Sequence, residues 1–134
     1  MADTIFTRLY KGELPCAKLY EDTRVFAFMD AGQVNPGHVI VASIEPFETI
    51  LDADAATAAA LMAAAHRIAR AVQAAFAPEG ITILQANKPA GWQTVPHLHL
   101  HVLPRHAGDG VELTWPRKSP AIETLRELAA RIKL

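Results

Sequence analysis

The chain has 134 residues, 51% of them hydrophobic and 20% charged, with a formal net charge of -1. That length fits one domain, residues 1–134, and a domain of this size buries roughly 68–70% of its unfolded-chain surface, so a core forms without staples. The near-neutral charge supplies no global field for nucleic acid or an acidic membrane, and the single cysteine, Cys16, excludes an internal disulfide and a cysteine-based zinc knuckle.

Cys16 is read as a small core or strand residue in a reducing compartment. The first residues hold Asp3 and Arg8 and no apolar signal core, and the alanine-rich stretch further on is broken by His66, Arg67 and Arg70. The expectation is a cytoplasmic chain with no targeting segment, no membrane partner and no nucleic-acid partner.

Taken in order, residues 4–11 place Ile5, Phe6 and Leu9 at helical spacing, and Gly12 and Pro15 close that segment. Residues 16–21 and 24–29 are two short runs joined through Asp22 and Thr23, which predicts a hairpin with Asp30 at its exit. Asn35, Pro36 and Gly37 are turn chemistry that delivers His38 at the head of the apolar run HVIVA. After Pro46, residues 53–77 repeat Leu61, Ala65, Ile68, Val72 and Phe76 at spacings of three and four, which predicts a long helix capped by Asp52 or Asp54. His66 on that helix is expected to be solvated. Residues 81–86 read as a strand and 87–96 as a loop rich in donors.

The loop runs into HLHLHVL at residues 97–103. Strict alternation is the period of a half-buried strand, so His97, His99 and His101 share one face while Leu98, Leu100 and Val102 point into the core. Neighbouring histidines in such a strand start roughly 6.6 Å apart, close enough to serve one phosphate-sized group. Residues 107–118 look irregular, and His106 is expected to face solvent. Ser119 and Pro120 are expected to cap a last helix, 119–134, with Ile122, Leu125, Ala129 and Ile132 on one side.

With those residues in view, the sequence resembles the histidine triad (HIT) family, whose motif is three histidines alternating with apolar residues; HLHLHVL fits every position. Residues 3–30 are similar to the N-terminal block of the histidine triad nucleotide-binding branch, and HVLPRHAGD is similar to the fragile histidine triad branch. The resemblance implies an α+β fold with a five-stranded antiparallel sheet, continued across a homodimer. It implies hydrolysis at the α-phosphorus of a purine nucleotide, either a phosphoramidate or related AMP conjugate, or alternatively a dinucleoside polyphosphate, with no metal and no cofactor.

By the same likeness His99 is the nucleophile and forms a covalent nucleotidyl-histidine. His97 and His38 are implied to be a supporting pair behind it, and His101 to lie at the leaving group. Asn87, Gln93 and Thr94 correspond to loop donors for the phosphate, Asp30 to the acceptor of ribose hydroxyls, and Ile5, Phe6, Leu9 and Phe28 to the walls around the base. The sequence departs from the family in two places: Trp92 replaces the usual glycine before the loop glutamine, and the interval from Asn87 to His97 is one residue shorter. The role of the C-terminal helix, covering the site or reaching a partner subunit, stays open.

Two other readings compete. Histidines at i and i+2 on a strand also make metal sites, with a third ligand from His38 or an acid, and a chelator would abolish activity in that case. A nucleotide-binding protein with little turnover would keep the motif and hydrolyse nothing quickly.

Overall fold

The computed structural model describes residues 2–134. Its elements are α1 (Ile5–Tyr10), β1 (Lys18–Glu21), β2 (Val25–Met29), β3 (Val39–Ser43), α2 (Ala55–Phe76), β4 (Gly80–Gln85), β5 (His99–Arg105) and α3 (Ile122–Ala130). The five strands form one sheet in the order β1-β2-β3-β5-β4, and every neighbouring pair is antiparallel. The expected α+β fold with a five-stranded antiparallel sheet is present.

The sheet has two packed faces. Val25, Ala27, Val39, Val41, Leu100 and Val102 lie with Leu61, Ala65, Ile68 and Val72 of α2 in the main core. Alanines on the inner side of α2 let the helix approach the strands closely. Phe6, Phe26, Phe28, Ile40 and Ala42 form a second cluster on the other face, under α1. Because both faces are covered, β2 and β3 are buried almost end to end, which explains why their sequences are more apolar than strict alternation.

Local signals explain most of the boundaries. Asp22 accepts the main-chain N–H groups of Arg24 and Val25 and closes the β1–β2 hairpin. Thr4 caps α1 by accepting from Phe6 and Thr7, and Thr7 returns a bond to the Thr4 N–H. Asp54 caps α2, while Asp52 accepts from Glu48 and Thr49 in the preceding turn. Gly37 sits at φ +99°, and a Cβ there would lie 2.7 Å from the Phe76 ring, so close contact and backbone both require glycine.

Three expectations need correction. Cys16 is exposed before β1 rather than in core or strand. His97 precedes β5 instead of opening it, because the Leu98 N–H is donated to the Phe47 carbonyl. Ser119 caps nothing: α3 starts after Ala121, which makes no side-chain cap, and none of the helix's residues is buried.

Candidate active site

β5 carries His99 and His101 on the sheet face opposite α2, and β3 beside it begins just after His38, which the turn at residues 35–37 delivers. The register pairs Ile40 with His101 and Ala42 with His99. His38, His97 and His99 are buried and His101 is half-buried. Phe6 from α1 packs edge-on against His99, with ring centres 5.0 Å apart, and His99 stands edge-on to His101 at 5.1 Å.

Hydrogen-bond partners assign the tautomers. A main-chain carbonyl can only accept, so His99 Nδ1 donates to the His97 carbonyl at 2.5 Å and Nε2 keeps the lone pair. His97 Nε2 likewise donates to the Ser43 carbonyl at 2.6 Å, leaving its Nδ1 to accept the Thr4 hydroxyl at 2.5 Å. The Val34 N–H points at His38 Nδ1 from 3.4 Å, so His38 Nε2–H donates to His101 Nδ1 at 2.9 Å. His101 is then left with its N–H at Nε2.

The expected pairing of His97 with His38 is therefore corrected. His38 is bound to His101, while His97 is tied to Thr4 and Ser43 and meets the other histidines through its own carbonyl. The reason is the order of strands: His38 stands at the start of β3, across from the far part of β5, whereas Ser43 ends β3 next to His97.

Electrostatics keep this cluster neutral. Burial lowers the pKa of His38, His97 and His99 below the ordinary imidazole value, opposed at His38 and His99 by the Asp30 charge. Burial and the neighbouring His99 and His38 rings bring His101 down to about 4. Asp30 Oδ2 lies 3.4 Å from His38 Nε2 and 4.0 Å from His101 Nδ1, and Oδ1 accepts the Gly32 N–H at 2.7 Å. Asp30, His38 and His101 are the described residues whose donor atoms converge enough to hold a metal ion.

Beside this cluster a cavity of about 210 Å³ is lined by Leu9, Cys16, Phe28 and Asp30, among others. Leu9, Phe28 and Asp30 thus line one cavity. Phe6 lies behind the histidines instead of lining that cavity, and Ile5 is exposed. Asn87 and Gln93 are held within the loop: Asn87 accepts the Ile50 N–H and exchanges bonds with Gln85. Gln93 accepts from the Lys88 N–H and donates to the Glu48 carbonyl. Both brace the loop, and Thr94 is exposed at its end.

The motif hides contributors that its spacing cannot reveal. Thr4 and Ser43 hold His97 from positions far away in sequence. In HVLPRHAGD, Arg105 grips Asp109 through Nε at 2.8 Å and through its terminal nitrogen, and Asp109 also accepts from Asn35. The Arg105 guanidinium holds the Asp109 carboxyl well below the usual carboxylate range. That segment clamps the turn presenting His38 to the end of β5.

The site offers a ring nitrogen with a free lone pair, an adjacent ring N–H and a carboxylate, arranged for nucleophilic attack next to a proton donor. A family model described as "HIT domain" matches residues 11–108. The chain is 37% identical over 112 residues to "Protein hit" of Bacillus subtilis, covering 83% of this chain and 77% of that protein. It is 27% identical over 129 residues to adenosine 5'-monophosphoramidase hnt1 of Schizosaccharomyces pombe, covering 96% and 94%. The solved structure of a HIT family member from Bacillus subtilis superposes with a TM-score of 0.91 at 32% identity, covering 97% of this chain and 94% of that one.

Proposed function

The chain belongs to the HIT domain family, and from that premise we propose that it splits purine nucleoside phosphoramidates or related AMP conjugates through a nucleotide bound covalently to His99. The single observation that carries this reading is the bond from His99 Nδ1 to the His97 carbonyl, which leaves Nε2 unprotonated. An imidazole so oriented is a nucleophile at neutral pH. The similarity to a protein named as an adenosine 5'-monophosphoramidase, over nearly the whole of both chains, supports the choice of substrate.

In the first step His99 Nε2 attacks the α-phosphorus, forming a P–N bond as the bond to the leaving group breaks. The leaving group needs a proton. His101 is neutral in the free site, and a negative phosphate brought beside it favours the protonated ring, so substrate binding draws one proton onto the His38–His101 pair: it enters at His38 Nδ1 while the His38 Nε2 proton passes to His101 Nδ1. The His101 imidazolium gives a proton to the leaving atom. In the second step water attacks phosphorus, its proton passes to His101, the P–N bond breaks and the nucleoside monophosphate leaves with His99 restored.

Asp30, Leu9 and Phe28 serve the ribose and base. Their cavity is smaller than the roughly 300–1,000 Å³ of whole-ligand pockets, which suits a base and part of the ribose with the phosphate lying outside, over the histidines. Thr94, exposed at the end of the loop, serves as a donor to phosphate oxygens, while Asn87 and Gln93 brace the loop. A homodimer fits the outer edge of β4, which has no strand partner and adjoins a groove of about 900 Å³ lined by Met62, Ala63, Ile81 and Ile83. No described helix is long and apolar enough to cross a membrane.

The competing dinucleoside polyphosphate reading rested on HVLPRHAGD, and the Arg105–Asp109 clamp gives those residues a structural task. The test is a parallel turnover assay with an AMP phosphoramidate and diadenosine polyphosphates. Faster release of AMP from the phosphoramidate supports the proposal. Preference for the polyphosphates would replace it, and binding of AMP without turnover of either would make the chain a binding protein.

A further inference from the structure

Residues 30–38 connect β2 to β3, and the connection opens on Asp30 and closes on His38. One side chain closes the chain between them. Gln33 donates from Nε2 to the carbonyls of Asp30 at 2.7 Å and His38 at 2.6 Å, and its Oε1 accepts the N–H groups of Gly37 at 2.9 Å and His38 at 3.2 Å. Carbonyls only accept and main-chain N–H groups only donate, so these partners fix which end of the amide is which, and both of its donors and both of its acceptor positions are filled. Gln33 is nonetheless exposed, so burial of an apolar stem does not account for its place.

The next residue carries the consequence. Val34 is held between two anchored neighbours, because on its other side Asn35 Nδ2 donates to the Pro104 carbonyl at 2.8 Å and to Asp109 at 3.0 Å. So placed, the Val34 N–H points at His38 Nδ1 from 3.4 Å, which leaves the ring proton of His38 at Nε2, donated to His101 Nδ1, and the N–H of His101 at its own Nε2. In the reverse arrangement His38 carries its proton at Nδ1, His101 Nδ1–H donates to His38 Nε2, and His101 Nε2 is bare. The two arrangements hold the same number of protons and differ in which end of the pair carries the outward one.

We propose that Gln33 is a positioning residue that sets the direction of the His38–His101 hydrogen bond: by closing the 30–38 turn, its amide holds the Val34 N–H against His38 Nδ1, so that the free site presents an N–H at His101 Nε2. In the reverse arrangement a lone pair would face the phosphate oxygens and the leaving atom, two acceptors with no hydrogen between them. The effect on turnover rests on the reaction proposed above, whereas the direction of the bond does not.

Long-range proton–nitrogen correlation spectra of the full chain carrying labelled histidine read the tautomer of each ring at mildly alkaline pH, with signals assigned by replacing one histidine at a time. In the wild type His38 and His101 are both expected to be protonated at Nε2. Gln33→Met keeps the length of the side chain and loses all four bonds, and Gln33→Asn ends one methylene short. Both should move the two rings toward the reverse arrangement and lower kcat/KM for an AMP phosphoramidate by about tenfold or more, while far-UV circular dichroism shows them folded; should one fail to fold, the other carries the test. A folded variant whose rings keep the wild-type tautomers overturns the proposal, and so does a wild type found in the reverse arrangement. Wild-type rates in variants whose tautomers have shifted overturn the link to turnover. No turnover by the wild-type chain would refute the proposed reaction instead, and the spectra then decide the direction of the bond by themselves.

Discussion

The Nδ1–H of His99 is donated to the main-chain carbonyl of His97, two residues earlier in the same segment. The tautomer of His99, the proposed nucleophile, thus depends on where His97 sits, and His97 is anchored by Thr4 and Ser43. Thr4→Val removes that anchor without touching substrate. We expect kcat to fall by about tenfold to a hundredfold with little change in KM, and stability to drop by about 1 kcal/mol through the lost cap. Thr4→Ser should restore both. Steady-state kinetics with unfolding curves for the two variants decide it, and a loss of stability with kcat intact would make Thr4 structural only.

The shifted histidines set two pH dependences. An unfolded His101 titrates near 6.5 and the folded one near 4. Between those values the unfolded chain binds the extra proton, so stability rises with pH. Its contribution is complete above about pH 6.5 and is lost as pH falls toward about 4. Thermal unfolding from pH 7 to pH 4 should show a falling Tm, with a shallower fall in His101→Asn; equal slopes would contradict the assignment. The acid limb of kcat/KM should likewise lie below 6.5, because His99 is also depressed.

Gly37 meets Phe76 where a Cβ would stand 2.7 Å from the ring, at a backbone φ of +99°. Gly37→Ala should cost about 1–3 kcal/mol and lower turnover, since His38 is the next residue. Adding Phe76→Leu should recover part of the stability by removing the ring contact and leave the backbone strain. Chemical denaturation of the single and double variants measures both terms.

Trp92 stands at φ +76° in the loop, where the family's usual glycine would be unstrained. Its residue is 56% exposed, so packing returns little for that conformation. Trp92→Gly should leave stability unchanged or raise it by about 1 kcal/mol, and Trp92→Val should lower it, since a branched Cβ fits the left-handed region worst. Denaturant midpoints compare the three chains. A clear loss of stability in Trp92→Gly would mean that the indole holds the loop.

Much of this fold was legible because its signals are local. Alternation in HLHLHVL placed His99 and His101 opposite the leucines, and the three-and-four spacing of Leu61, Ala65, Ile68, Val72 and Phe76 marked α2. The partnership of His38 with His101, and of His97 with Thr4, was not legible, because strand order rather than spacing decides which residues meet. Asn87 and Gln93 match a pattern of donors, yet their amides are tied to Ile50, Gln85, Lys88 and Glu48, partners that no motif displays. The bare C-terminal helix was visible as an amphipathic stripe, but a stripe does not say what it packs against.

The most direct test of the account is the mass of the chain quenched during turnover of an AMP phosphoramidate, followed by peptide mapping. The account predicts a gain equal to one nucleotidyl group on the peptide containing His99, absent in His99→Ala, which should retain AMP binding while losing hydrolysis. Release of the leaving group in a burst with no such gain at His99, or full turnover by His99→Ala, would contradict it.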